Sequence, residues 1–256
     1  MTPIVLLAHV IWAVDRPRHE PVGNVIRYVV AGALAGGLAI GVEALLAPMF
    51  GGLGDASLVW PARFALVFLG VGLVEEACKF VWLMAASRGD RELDEPFDWV
   101  VYSVSVALGF ALLENVRVLW QGAQAGWARA FFAVPVHALL GTLMGHQMAR
   151  AMRDGPAAVP MRRRLAVLEP AAWHALYDGL IFQMRASTGF PALLFLLFLG
   201  LVAALWATAV SRTAALWKAE RGLPPPILAP GRALVRLVRG PAKPGDEEPP
   251  PGNDAS

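Results

Sequence analysis

Inside the apolar run GVGLVEEACKFVWLM the chain carries Glu75, Glu76 and Lys79. One such charge at the centre of a bilayer-spanning helix costs roughly 2.5–3.5 kcal/mol on insertion scales, so the group needs partners on other helices. Three further apolar stretches supply them: Glu114 in FALLENV, His137 in PVHALLG, and His174 with Asp178 in WHALYDGL. Glu75 and Lys79 are four residues apart and share a helix face in the favourable acid-then-base order. Glu76 is turned about 100° away, so one glutamate can face a site while the other braces the helix or the lysine. One ammonium cannot neutralise two carboxylates, which argues against a merely self-compensating seam. His174 and Asp178 are also four apart, a spacing that lets an imidazole and a carboxylate hold one metal or share a proton. Buried acids could activate water, and the imidazoles could bind a zinc-like metal or face a developing oxyanion. The spacing leaves both open.

Each position also has a structural alternative. Arg117 follows Glu114 by one turn and could pair with it as an interfacial anchor. Pro135, two residues before His137, is expected to kink its helix and free a carbonyl. His146 falls on the opposite face from His137 and reads as structural or interfacial. Cys78, the single cysteine, reads as a small packing residue. Glu43, Glu169, His9 and His19 lie near span ends or the amino terminus and carry no assigned chemistry. No HExxH and no GxSxG is present, so zincin and serine-hydrolase chemistry have no local signature.

The elements that must position these residues follow from composition. The chain is 57% hydrophobic and 16% charged, against about 25% charge in soluble domains. The expected fold is all-α: a polytopic transmembrane helix bundle with spans near 25–47, 61–87, 97–119, 128–150, 163–186 and 190–211, preceded by a short apolar helix in residues 1–13. Residues 1–212 form the bundle, and 213–256 a Pro-rich, mostly disordered cytoplasmic tail. Arginines flank 14–24, 88–96 and 151–162 and follow the last span. The connections 48–60, 120–127 and 187–189 hold no Lys or Arg. That alternation places the arginine-rich loops and the tail in the cytoplasm. Arg232, Arg236 and Arg239 in the tail could form a short helix on anionic lipid. No phosphate loop or nucleic-acid tract is present, so the expected surroundings are the lipid bilayer rather than nucleic acid.

EEACK (Glu75 to Lys79), FALLE (Phe110 to Glu114), HALLG (His137 to Gly141) and HALYD (His174 to Asp178) resemble, in order and on separate helices, the EExxK, FxxxE, HxxxG and HxxxD motifs of the PrsW family. DRPRHEP (Asp15 to Pro21) resembles that family's loop after its first helix, without ending in EPEP. The resemblance covers roughly residues 10–210. It implies a polytopic intramembrane protease, related to CAAX prenyl proteases and bacteriocin-immunity proteins, that hydrolyses a peptide bond in a membrane-anchored protein substrate in the bacterial cytoplasmic membrane. The site set is then Glu75, Glu76 and Lys79 for water activation, with Glu114, His137, His174 and Asp178 binding one zinc-like metal or positioning water and oxyanion. Two other classes fit midplane acids and imidazoles. A proton- or cation-coupled carrier is one, though no internal repeat and no matched pair of broken helices is visible. A helix scaffold held by polar contacts is the other. The sequence leaves the oligomeric state open.

Overall fold

The computed structural model describes residues 20–50, 58–120, 132–186 and 190–221. The described residues are helical with no β-strand. The helices are α1 (Val22–Phe50), α2 (Trp60–Val67), α3 (Leu73–Ala86), α4 (Asp98–Trp120), α5 (Ala133–Asp154), α6 (Val159–Ala186) and α7 (Pro191–Arg221). A π-helical turn, Phe68–Gly72, joins α2 to α3 with right-handed helical backbone at both junctions, so the two run on as one rod. Among the described residues α1, α4 and the Pro191–Ala219 part of α7 are long and apolar enough to cross a membrane. α2 and α3 are each too short alone, at 8 and 14 residues, and α5 and α6 carry imidazoles, acids and clustered arginines that dilute their hydropathy. The expected short helix in residues 1–13, most of the 15–21 loop and the 222–256 part of the tail lie outside the described residues.

α4 is the central helix; from Asp98 to Ala111 every residue is buried. Lipid tails are as apolar as leucine, so close van der Waals packing rather than water exclusion must hold such a helix among its neighbours. Small residues provide the approach. A Cβ on Gly109 would stand 1.9 Å from the Val29 carbonyl oxygen, and one on Gly32 2.0 Å from that of Val106, so α1 and α4 touch backbone to backbone. On the other side of α4, a Cβ on Gly141 would lie 2.9 Å from the Ser103 carbonyl oxygen, so α5 also packs close, though less so than α1. Glycine costs about 1 kcal/mol in an ordinary helix interior; here it permits contacts that any side chain would prevent.

At the amino-terminal end of α4 a polar latch joins three parts of the chain. The Tyr28 hydroxyl donates to Asp90 at 2.8 Å, the Asn24 amide donates to Asp90 at 3.1 Å, and the Tyr102 hydroxyl donates to Glu20. The Tyr28 and Tyr102 rings stack with centroids 4.0 Å apart and planes 11° from parallel. Asp98 Oδ2 accepts the backbone N–H groups of Asp94 and Glu95, closing the loop onto α4.

Two boundaries differ from expectation. Pro135, expected to kink its helix, sits in the first turn of α5, where its missing N–H breaks no hydrogen bond and no kink is needed. α7 runs to Arg221, past the expected end at 211, because Leu216 and Trp217 are buried and the Trp217 ring meets Phe97 edge-on at 5.4 Å. Residues 213–221 thus continue the bundle's last helix.

Candidate active site

α3, α4, α5 and α6 each deliver part of one polar nest. Glu76 and Lys79 are sealed, with side chains 0% and 1% exposed, and Glu75, His137 and His174 are buried around them. Lys79 Nζ donates to Glu76 Oε1 at 2.6 Å and to His137 Nδ1 at 3.0 Å, and lies 3.6 Å from Glu75 Oε2. His137 therefore accepts at Nδ1, and its Nε2 donates to Glu114 Oε2 at 2.9 Å. His174 meets only carboxylates: Glu76 Oε1 at 3.0 Å from Nδ1, Asp178 Oδ2 at 3.3 Å and Glu75 Oε2 at 3.8 Å from Nε2. The two imidazoles stand perpendicular, with centroids 5.4 Å apart.

Local sequence explains how the helices come so near. A Cβ on Gly72 would lie 2.7 Å from the Ala171 carbonyl oxygen, so the end of the π turn rests on the backbone of α6. That contact brings Glu76, one turn further on, against His174. π-bulges recur at functional sites because the wider turn re-aims the side chains beyond it. Phe110 closes the nest from α4, its ring 5.5 Å from His137 and 4.1 Å from the Lys79 ammonium.

The seven sequence-selected residues thus form one connected set: Glu75, Glu76, Lys79, His137 and His174 within it, and Glu114 and Asp178 each behind an imidazole. Both glutamates are buried, and Glu76 is the one that braces the lysine. Arg117 NH1 reaches Glu43 Oε2 at 3.7 Å, whereas Glu114 engages His137. Glu43 is the residue that sequence reading left aside. It lies within electrostatic reach of Glu114, His174 and Asp178 at the half-buried edge of the nest. α1 continues through Pro48 to Phe50 and so places Glu43 inside the helix, not at its end. Arg63, also unassigned, is completely buried on α2 and donates to the Gln183 side chain of α6. His146 lies outside the nest, and Cys78 is a buried free thiol beside Phe110.

The donor set suits a metal ion. One ligand atom each from Glu75, Glu76, His137 and His174 lies within 4.8 Å of the others, all four residues being buried. Glu75 Oε2 and Glu76 Oε2 are buried with no hydrogen-bond partner. Orphaned carboxylate oxygens beside two imidazoles, each backed by a further carboxylate, match the way zinc-ligating histidines are oriented.

An integral-membrane helical bundle with acids and imidazoles converging inside it is an arrangement that intramembrane hydrolases can use. The chain belongs to the PrsW family of intramembrane metalloproteases, whose sequence profile matches residues 20–208. It is similar to Protease PrsW of Bacillus subtilis (strain 168), at 28% identity over 78% of this chain and 90% of that one. It is 32% identical to Protease PrsW of Geobacillus kaustophilus (strain HTA426), over 71% of this chain and 77% of that protein. With Protease PrsW of Clostridioides difficile (strain 630) it shares 29% identity over 70% and 76% of the two chains. No solved structure matches it. The protein is accordingly a membrane-embedded peptidase.

Proposed function

We propose that the protein cleaves a membrane-anchored protein substrate by a glutamate-activated water, with Glu75 as the general base. The observation that carries this assignment is the unequal hold on the two glutamates. Glu76 Oε1 is gripped by Lys79 at 2.6 Å and His174 at 3.0 Å, so its role is to fix both. Glu75 Oε2 has no hydrogen-bond partner, and Lys79 and His174 stand off at 3.6 and 3.8 Å. It is the carboxylate with room to accept a proton from water.

In this reading the Lys79 ammonium, with one N–H beyond those given to Glu76 and His137, supplies a donor that stabilises the oxyanion formed when water adds to the scissile carbonyl. Asp178 and Glu114 orient the two rings and select which nitrogen faces inward. Protonation of the leaving amine falls to Glu75, which returns the proton taken from water. Glu75, Glu76, His137 and His174 are the residues that would hold a zinc-like metal; bound there, it would acidify water and polarise the carbonyl. Glu43 and Arg117, at the half-buried edge, form the rim past which the substrate segment enters.

The arginine-rich loops support a topology of six crossings, with 88–96, 151–162 and the carboxyl-terminal tail on the cytoplasmic side of a bacterial cytoplasmic membrane. The deciding experiment reconstitutes the protein in liposomes with a tethered substrate. Glu75→Gln is expected to abolish cleavage while the protein still extracts and elutes as the wild type does. Undiminished cleavage by Glu75→Gln would end the assignment of Glu75 as base, and undiminished cleavage by Glu76→Gln as well would end the proposal.

A further inference from the structure

The lysine of the nest stands among the same atoms that a metal would need. Lys79 Nζ contacts Glu76 Oε1 at 2.6 Å and His137 Nδ1 at 3.0 Å, with Glu75 Oε2 at 3.6 Å. Three of the four candidate ligand residues therefore already face a cation. The ammonium also faces the Phe110 ring, 4.1 Å to its centroid, which favours positive charge. His137 Nδ1 is the decisive atom. It has one lone pair, and its other nitrogen is committed to Glu114 at 2.9 Å. That lone pair can receive a lysine N–H or a metal ion, not both. Two cations held by one set of carboxylates in a low-dielectric site also repel strongly.

We infer that Lys79 is an internal cation that competes with a divalent metal for this nest, so that metal enters only when the ammonium swings out. The inference rests on the metal-holding role given to Glu75, Glu76, His137 and His174, and is independent of which group activates water. Lysine suits the part: a compact charge on a flexible four-carbon stem can leave a site that a rigid guanidinium fork would block. A donor set that is available only when its resident charge has left binds metal more weakly by the fraction of time it is vacated. The nest thus keeps one positive charge beside its two glutamates without metal, and its metal affinity is set by one side chain that is not itself a ligand.

The test measures zinc binding by the full-length protein in detergent, in competition with a fluorescent chelator. Lys79→Met is expected to bind zinc about tenfold or more tightly than wild type, as an ammonium resident nine-tenths of the time would imply. Lys79→Arg, which keeps the charge and adds bulk, is expected to bind more weakly than wild type. Equal affinity across the three proteins overturns the inference, as does an absence of zinc uptake by wild type and Lys79→Met alike. Should Lys79→Met not yield a monodisperse protein, the arginine variant decides: weaker binding supports competition, and equal or tighter binding refutes it. Zinc retained by Lys79→Met carrying His174→Ala also refutes it, since the ion would then sit elsewhere. Cleavage by Glu75→Gln is scored separately, so the peptidase chemistry stands or falls on its own result.

Discussion

Two buried polar clusters lie at opposite ends of α4, and they are built on opposite principles. At the amino-terminal end the latch of Glu20, Asn24, Tyr28, Asp90 and Tyr102 matches donors to acceptors, and none of its buried polar atoms lacks a hydrogen-bond partner. Towards the other end the nest around Glu76 leaves two carboxylate oxygens without one. A buried polar group without a partner costs about 1–3 kcal/mol, so it persists where something other than stability is selected. The latch is architecture. The nest leaves carboxylate oxygens open to a ligand, a water or a metal, which is what its proposed reactive role requires.

The contrast can be broken or sharpened by substitution. The largest effect is expected from Glu75→Gln, about 10²–10⁴-fold on turnover of a tethered substrate, with an unfolding transition in detergent no lower than that of the wild type. A large fall in stability instead would make the nest a structural cluster like the latch. Asp90→Ala should do the reverse. It strips the acceptor from Tyr28 and Asn24 and should cost about 1–3 kcal/mol, read by thermal unfolding, with turnover per folded molecule unchanged. Glu114→Gln weakens the carboxylate behind His137 and should lower turnover by about 10–100-fold, the range found when such supporting groups are removed. Recovery in Glu114→Asp would show that the carboxylate, and not the packing, matters. Glu43→Gln should give the smallest change, at most about fivefold in KM with turnover little altered, as expected for a half-exposed ion pair. A loss of turnover as large as that of Glu75→Gln would move Glu43 from the rim into the reacting set.

The proposed site is more legible in the sequence than the latch. Charged groups within apolar runs stand out because lipid penalises them, and i,i+4 spacing joins His174 to Asp178 without any tertiary knowledge. The convergence of four helices also followed from the need to partner each charge. Which atom meets which did not. Lys79 lies nearer to Glu76, three residues away, than to Glu75, four away, because Glu76 is drawn inward by His174 from α6. Arg117 reaches Glu43 across to α1, a long-range contact with no local pattern. Pro135 and the end of α7 were misjudged for a related reason. A helix boundary depends on what packs there, as Trp217 does on Phe97, and hydropathy windows do not see a single aromatic contact.

The wide turn at Phe68–Gly72 carries a further consequence. The rod formed by α2 and α3 is tied to α6 at two points: Arg63 to Gln183 below the turn in sequence, and Glu76 to His174 above it. Two fixed anchorages on one neighbour demand a set phase between them, and an unbroken 3.6-residue spiral has only its own. The surplus residue in the turn makes up the difference, much as a leap day reconciles two calendars. Excising one residue there would leave the helix regular but out of step with α6, obliging it to surrender either the guanidinium or the glutamate.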